Sequence, residues 1–165
     1  MPTTEHKAVY AGSFDPLTNG HLWMVKEGLN LFDHLTVAIG INPDKEYTFG
    51  LVERLDILRA SLPSSDTLEI SHFENRYLVD YATEIGASYI LRGIRSAPDY
   101  EYERGMRHMN AALNDRITTV FLMPPRELAE LSSSMVKSLV GPEGWEEHME
   151  KLVPRPVYEA MRKEG

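Results

Sequence analysis

The 165-residue chain contains no cysteine, which excludes both a disulfide framework and a thiolate metal site. Basic residues are also in short supply. The 25 acidic and 17 basic residues give a formal net charge of −8, whereas nucleic-acid-binding domains usually carry a basic excess. Long hydrophobic runs are missing as well, and a membrane-spanning helix needs a run of about 20 apolar residues. We therefore expect neither nucleic-acid binding nor membrane insertion.

The composition is that of an ordinary globular protein, with 42% hydrophobic and 25% charged residues. Its length predicts a single domain over residues 1–165 with one core. The polar start, Met1–Lys7, lacks the apolar stretch of a secretory signal, so we expect a cytoplasmic protein. The tail from about 141 to 165 is predicted to end in a short helix, packed on the core or on a neighbouring subunit.

Short stretches rich in β-branched residues alternate with stretches of helical period, which predicts an α/β protein. The predicted strands are Ala8–Ala11, Leu35–Ile41, Thr67–His72, Tyr89–Leu91 and Thr118–Met123. The predicted helices are Leu22–Leu31, Leu51–Ser61, Leu78–Ile85, Asp99–Leu113, Ser134–Val140 and about Pro156–Lys163. This alternation indicates a Rossmann-like, doubly wound, five-stranded parallel sheet with flanking helices.

Ligands of such sheets bind beyond the carboxyl ends of the strands, and the polar motifs of this chain follow the predicted strands. The loop Gly12–His21 joins a strand to a helix start, where backbone N–H groups and the helix dipole favour an anion. His21 could donate a hydrogen bond to a phosphate there and stabilise charge in a transition state. The alternative is a histidine that only caps the helix.

Cationic side chains follow two further strands. Arg92 and Arg95 flank Gly93, and a guanidinium fork matches phosphate oxygens. The alternative is a pair of surface salt bridges to the acidic residues of segment 99–103. Lys45 follows the second strand, and only its position at the binding edge distinguishes it from a solvated lysine.

Three consecutive serines, Ser132–Ser134, precede the helix of Lys137. One serine is enough for an N-cap, so three could also offer hydroxyl and N–H groups to a phosphate chain. A lysine near a helix start opposes the dipole unless an anion is bound, which favours the phosphate interpretation.

The helix of residues 99–113 carries a stripe of Tyr102, Met106, Met109 and Leu113, which predicts a core-facing side. Asn110 falls nearly in phase with this stripe, and an inward-facing amide could line a pocket. Glu103 and Arg107 stand four residues apart and could form an ion pair.

The sequence shows neither paired histidines with metal-ligand spacing nor a catalytic triad. No metal-ligating residue is therefore predicted. A set of phosphate binders without a nucleophile suits a transfer in which a substrate phosphate attacks, and catalysis then rests on positioning and charge neutralisation.

The loop Gly12–His21 resembles the T/H-x-G-H signature of the nucleotidyltransferase superfamily. Within it, the chain resembles the bacterial phosphopantetheine adenylyltransferase family over about residues 7–140. The further matching motifs are Asn42–Arg54, Arg92–Arg95, Asp99–Glu103, His108–Asn110, Phe121–Pro124 and Ser132–Lys137.

This resemblance implies transfer of the adenylyl group of ATP to 4′-phosphopantetheine, giving dephospho-coenzyme A and pyrophosphate. Magnesium would accompany the ATP phosphates. The family is typically a homohexamer, and coenzyme A commonly occupies the site as a feedback ligand. The resemblance makes His21, Lys45 and Arg95 the catalytic set. The implied ATP-binding residues are Ser13, Phe14, His21, Gly93, Ile94, Arg95, Glu103, Leu128, Ala129, Glu130, Leu131, Ser132, Ser133 and Ser134. The implied acceptor-binding residues are Ser13, Lys45, Leu78, Arg92, Tyr102 and Asn110.

Two rival functions stay open at this point. One is a sister nucleotidyltransferase that uses nicotinamide mononucleotide or CTP. The other is a nucleotide-binding module without catalysis.

Overall fold

The computed structural model describes residues 5–164, so the first four residues of the predicted polar start and the last residue lie outside the description. Its five strands pair in parallel, in the order β3-β2-β1-β4-β5. Their bounds are β1 Lys7–Gly12, β2 His34–Ile41, β3 Leu68–Glu74, β4 Tyr89–Gly93 and β5 Thr118–Leu122. The predicted five-stranded parallel sheet is confirmed.

Helices connect the strands and continue beyond the sheet. They are α1 Asn19–Leu31, α2 Leu51–Ser61, α3 Leu78–Glu84, α4 Ala97–Leu113, α5 Ser133–Leu139, α6 Trp145–Met149 and α7 Arg155–Glu164. A 3₁₀ turn spans Arg126–Leu128. The 3₁₀ turn and α6 are too short to give a periodic pattern, and the sequence did not predict them. The terminal helix α7 packs on the core as expected, with Val157 and Met161 buried.

Both faces of the sheet are covered, which makes the fold doubly wound. On β1, Ala8 and Tyr10 join a core that also contains side chains of α1, α2, α5, α6 and α7. Val9 points the opposite way, into a second core with Val79 and Ala82 of α3. This alternation follows from the two-residue period of a strand.

The apolar stripe of α4 does not face the core, so that prediction is wrong. Tyr102 is 64% exposed, Met109 44% and Leu113 49%. The buried residues of this helix are instead the polar Glu103 and Asn110. Periodicity identifies an apolar face but does not say what covers it.

Among residues 5–164, no helix combines the length and the apolar character needed to cross a membrane.

The strand order changes direction between β1 and β4, because β1 continues to β2 on one side while β4 lies on its other side. Such a switch point leaves a crevice at the carboxyl ends of the two strands. The loops after all five strands meet at this edge of the sheet.

Candidate active site

A cleft with two lobes lies over the carboxyl ends of β1 and β4. The main lobe has a volume of about 390 Å³, and the side lobe about 240 Å³. Six residues line both lobes: Ala11, Gly12, Ser13, Arg92, Tyr102 and Glu103. The other predicted residues of the main lobe are His21, Lys45, Gly93, Arg95, Leu128, Leu131, Ser132, Ser133 and Ser134. The tertiary structure therefore brings residues that follow four of the five predicted strands into the main lobe.

The loop between β1 and α1 is fixed by a buried carboxylate. Asp15 is 2% exposed, and its two oxygens accept from the backbone N–H groups of Thr48 and Phe49 at 2.8 and 2.9 Å. The Lys137 ammonium lies 3.5 Å from the same carboxylate. Lys137 also occupies the last turn of α5, where a cation suits the helix dipole. The argument that Lys137 opposes the dipole and so indicates a bound phosphate is therefore wrong.

Ser13 and Lys45 meet at the entrance of the main lobe. The Lys45 ammonium donates to the Ser13 hydroxyl at 3.1 Å, across the ends of β1 and β2. Lys45 is exposed, so its charge is available to a ligand. The two side chains were predicted together as acceptor binders, and their geometry suits one shared anion.

His21 both caps α1 and lines the main lobe. Its Nδ1 accepts from the Thr18 N–H at 3.0 Å, and the Thr18 hydroxyl accepts from the His21 N–H. The ring also lies edge-on against Phe14, with the ring centroids 5.2 Å apart. Because a backbone N–H can only donate, Nδ1 is unprotonated and the neutral ring carries its proton on Nε2. Capping thus fixes the orientation in which His21 can donate to a ligand.

Burial, with the positive charges of Arg95 and Arg92, lowers the pKa of His21 to about 4. The ring is therefore neutral at pH 7 in the free protein. A neutral imidazole donates a hydrogen bond without adding a net charge.

Arg92 is oriented by two protein partners, and two of its N–H groups remain without a protein acceptor among residues 5–164. Its Nε and Nη2 donate to the Glu103 carboxylate, and Nη1 donates to the Ala11 carbonyl at 2.8 Å. These bonds use one hydrogen on each nitrogen, so two of the five guanidinium N–H groups remain. Burial acts to lower the pKa of Arg92, but the hydrogen bonds and charge of Glu103 outweigh it and raise that pKa. Arg92 is a fixed cation beside the lobe.

Arg95 connects three elements around the main lobe. Its Nε donates to Asp99 of α4 at 3.1 Å, and Nη1 donates to the Leu131 carbonyl at 2.7 Å. The predicted alternative of ion pairs with the acidic segment is therefore part of the arrangement, because Arg92 and Arg95 pair with Glu103 and Asp99. These pairs line the cleft and orient the guanidinium groups toward it.

Glu103 does not pair with Arg107, so that prediction is wrong. Its carboxylate is buried at 7% exposure and accepts from Arg92. Arg107 instead lines the side lobe. Neighbours on one helix compete with partners brought in by the sheet, and Arg92 reaches Glu103 in a buried position where the charge pair is worth more.

The three serines have three different roles. Ser132 caps α5 by accepting from the Met135 N–H at 3.1 Å, and the Ser133 hydroxyl donates to the Pro16 carbonyl at 2.8 Å. Ser134 is exposed. Since two hydroxyls are already used, the N–H groups at the start of α5 and the Ser134 hydroxyl are the groups best placed for an anion.

Four predicted ATP-binding residues do not line the cleft: Phe14, Ile94, Ala129 and Glu130. Phe14 is 2% exposed and packs its ring against Tyr10 and His21. Contacts from these residues to ATP stay a prediction and would involve backbone groups or ligand atoms outside the cavity.

The side lobe is shaped mainly by apolar side chains. Leu78, Phe73 and Met106 line it, and Asn110 contributes an amide at 8% exposure. Within the described residues the Asn110 side chain has no protein hydrogen-bond partner, so it is free to bind a ligand amide. Sequence reasoning missed Gly40, Phe73 and Thr119 in this lobe, and Met24 and Asp99 in the main lobe. Each of these residues lies at a strand end or on a helix face, and only the packing of the elements shows that this end or face borders the cleft.

Within residues 5–164, no three His, Asp or Glu side chains are grouped so as to hold a metal ion. The carboxylates nearest the cleft already have cationic partners: Asp15 with Lys137, Glu103 with Arg92 and Asp99 with Arg95.

Comparison with known proteins decides the family. Residues 9–139 match the family model described as cytidylyltransferase-like. A phosphopantetheine adenylyltransferase of Chromobacterium violaceum is 57% identical over 155 residues, which cover 94% of each chain. One from Neisseria meningitidis serogroup C is 57% identical over 98% of this chain and 95% of its own. This chain belongs to the phosphopantetheine adenylyltransferase family. It is therefore a nucleotidyltransferase.

Solved structures show the same fold at much lower identity. A Plasmodium falciparum nicotinic acid mononucleotide adenylyltransferase complexed with NaAD has a TM-score of 0.71 and 15% identity. The alignment covers 97% of this chain and 96% of that one. At this identity the likeness concerns the architecture alone.

Proposed function

We propose that this enzyme transfers the adenylyl group of ATP to 4′-phosphopantetheine, producing dephospho-coenzyme A and pyrophosphate in a reversible step of coenzyme A biosynthesis. The observation that carries the proposal is that His21 lines one lobe together with two groups of anion-binding residues. One group is Ser13, Lys45 and the free donors of Arg92, and the other is Arg95 with the start of α5.

In the proposed reaction, an oxygen of the acceptor phosphate attacks the α-phosphorus of ATP. A new P–O bond forms as the bond from the α-phosphorus to the bridging oxygen of the β-phosphate breaks, and pyrophosphate leaves with that electron pair. The His21 Nε2–H would donate to an α-phosphate oxygen as negative charge grows there. Lys45 and Arg92 would hold the attacking phosphate, while Arg95 and residues 128–134 would hold ATP and the leaving pyrophosphate.

The side lobe supports the assignment of the acceptor. The pantetheine arm is a flexible, largely apolar chain with two amide groups. Leu78 and Tyr102 would pack against it, and the Asn110 amide would bond one of its amides. The lobe continues from Ser13 and Arg92, so an acceptor whose phosphate binds there can extend its arm directly into it.

Magnesium would enter as part of the ATP substrate. Mg²⁺ is commonly held by one or two carboxylates and by substrate phosphates rather than by a protein cage. The carboxylates near the cleft have cationic partners already, so the phosphates would supply most of its ligands.

The remaining proposals concern assembly, regulation and location. The exposed apolar residues of α4 support association of several copies, for which we propose a homohexamer. Coenzyme A shares the pantetheine arm and adenylate with the product, so the same cleft could bind it as a feedback ligand. We propose the cytoplasm as the site of action.

The deciding experiment incubates the enzyme with ATP, Mg²⁺ and 4′-phosphopantetheine, followed by mass detection of dephospho-coenzyme A. Parallel reactions replace the acceptor with nicotinamide mononucleotide or replace ATP with CTP, and pyrophosphate release is measured in all of them. We expect product only with ATP and 4′-phosphopantetheine. Binding of ATP in calorimetry without any dephospho-coenzyme A would overturn the proposal in favour of a nucleotide-binding module.

A further inference from the structure

Arg54 is a buried cation to which neither the sequence motifs nor the proposed mechanism assigns a task. It lies in the second turn of α2 and is 2% exposed. Among residues 5–164, the two other buried charged residues are Asp15 and Glu103, and each has an oppositely charged partner. Arg54 has no carboxylate within salt-bridge distance in the described part of the chain. Burying a charge without an oppositely charged partner costs free energy of folding, so we expect a functional contact of this guanidinium that offsets that cost.

Its contacts point to the acceptor end of the cleft. Nη1 donates to the Ser13 carbonyl at 2.8 Å. The guanidinium carbon stands 4.0 Å from the centre of the Tyr47 ring, over its face. Nε is buried without a hydrogen-bond partner among residues 5–164. Arg54 therefore connects the loop Gly12–His21, through Ser13, to the segment that carries Lys45.

Tyr47 extends this connection to Lys45 itself. Its hydroxyl accepts from the Asn42 N–H at 2.9 Å, which closes the loop that contains Lys45. The Lys45 ammonium lies 5.7 Å from the centre of the same ring and donates to the Ser13 hydroxyl. Ser13 and Lys45, the two groups expected to bind the acceptor phosphate, thus each have a contact with the Arg54–Tyr47 pair.

We propose that Arg54, stacked on Tyr47, is a positioning residue that fixes Ser13 and Lys45 for the acceptor phosphate. The inference rests on the proposed function. An arginine suits the task because its planar fork can donate to a backbone carbonyl while its face stacks on an aromatic ring. A lysine ammonium keeps the charge but has no planar group that could stack on the ring while one of its edges donates to the carbonyl.

The test compares Arg54→Lys with Arg59→Lys. Both residues lie on α2, but Arg59 is exposed and pairs with Asp56 at the surface. Steady-state kinetics would give KM for 4′-phosphopantetheine and for ATP separately. We expect Arg54→Lys to raise the acceptor KM about tenfold, as for the loss of one charge-assisted hydrogen bond, with the ATP KM unchanged within about twofold. Arg59→Lys should change neither.

A double-mutant cycle separates positioning from a general structural role. If Arg54 acts through Lys45, its effect on the acceptor KM should largely disappear in a Lys45→Ala background, so the two changes are not additive. A purely structural role predicts additive effects and an equal rise of both KM values. Either of these results would overturn the inference.

Tyr47→Leu provides a second variant, because Tyr47 is only half-buried and its replacement is a smaller risk to folding. It should reproduce the selective rise of the acceptor KM, and an unchanged acceptor KM would overturn the inference even if Arg54→Lys does not fold. The wild-type reaction is measured first. An inactive wild type contradicts the proposed function. If the wild type is active and the Arg54 and Tyr47 variants change the KM values of both substrates equally, only the role of Arg54 is contradicted.

Discussion

The two lobes of the cleft are built by different physical means. In the main lobe, the groups that face a ligand are charged and polar, and almost every one is held by a second protein group: Arg92 by Glu103, Arg95 by Asp99 and His21 by Thr18. The side lobe offers apolar surface from Phe73, Leu78 and Met106, with the unpaired amide of Asn110.

The difference matches the parts of the substrates that each lobe would bind. Phosphates carry charge, and fixed donors can stabilise charge in a transition state without reorganising. A pantetheine arm is flexible and uncharged, so shape and one amide suffice to bind it and add little to the chemical step. Changes at the groups of the main lobe that face the reacting phosphates should therefore affect kcat as well as binding, whereas changes in the side lobe should affect only the acceptor KM.

The largest effect is expected for His21→Ala. Losing one preorganised transition-state donor typically lowers kcat by about 10²–10³. The fold should survive, since the Thr18 hydroxyl still accepts from the backbone N–H of residue 21. Stopped-time assays of dephospho-coenzyme A and circular dichroism would measure the two properties. The matched control is His108→Ala on the exposed face of α4. Turnover near that of the wild type would contradict the role of His21.

Arg92→Lys should have the next largest effect. The lysine loses the fork that joins Glu103, the Ala11 carbonyl and the acceptor phosphate. Charge-assisted hydrogen bonds are worth about 1.5–3 kcal/mol, so kcat/KM for 4′-phosphopantetheine should fall roughly 10–100-fold. Arg104→Lys, at an exposed pair with Glu101, is the control. An equal loss of ATP affinity, measured by calorimetry, would place Arg92 at the nucleotide instead.

A dependence of stability on pH should reveal the electrostatics of the main lobe. His21 has a pKa of about 4 in the folded protein, below the value of about 6.5 expected when unfolded. Between these values only the unfolded chain binds the proton, so stability falls as the pH is lowered through this range. The loss attributable to His21 should be roughly 1–2 kcal/mol by pH 5.

Urea unfolding of the wild type and of His21→Gln at pH 7 and pH 5 would measure the loss of stability that His21 causes. Carboxylates titrate in both proteins, so the difference between their pH-dependent losses isolates His21. The wild type should lose more. Equal losses would mean that the His21 pKa is not lowered and that the ring is charged in the free enzyme at mildly acidic pH.

The smallest effect is expected in the side lobe. Asn110→Leu keeps the approximate volume but removes the amide, and one neutral hydrogen bond is worth about 0.5–1.5 kcal/mol. The acceptor KM should rise roughly 3–10-fold with kcat and the ATP KM unchanged. Asn30→Leu on the exposed face of α1 serves as the control. A fall in kcat alone would break the proposed division between the lobes.

The fold was predictable because its signals are local. Strand and helix periods along the chain gave the parallel sheet, and the sheet placed the polar loops at one edge. The cations and His21 could be found because a Gly-rich turn or a strand end precedes each of them. Leu78 and Asn110 line the side lobe, and their binding of the acceptor stays a prediction.

The partners of these residues could not be predicted in the same way. The errors concern Lys137, Glu103 and the stripe of α4, and each arose from assigning a side chain a partner within its own helix or an assumed neighbouring core. Lys137 reaches Asp15, 122 positions earlier in the chain, and Arg54 reaches Ser13, 41 positions earlier. Sequence period gives a residue's face on its own element but carries no information about which distant group that face will meet.

The sequence by itself thus determined the architecture, the family and the residues with the chemistry to bind phosphate. The tertiary structure decided how these residues are arranged. It set which carboxylate holds each cation, which nitrogen of His21 carries the proton, and which lobe each side chain lines. The reason is that local period follows from backbone geometry, whereas pairing and protonation depend on burial and on charges that only packing brings together.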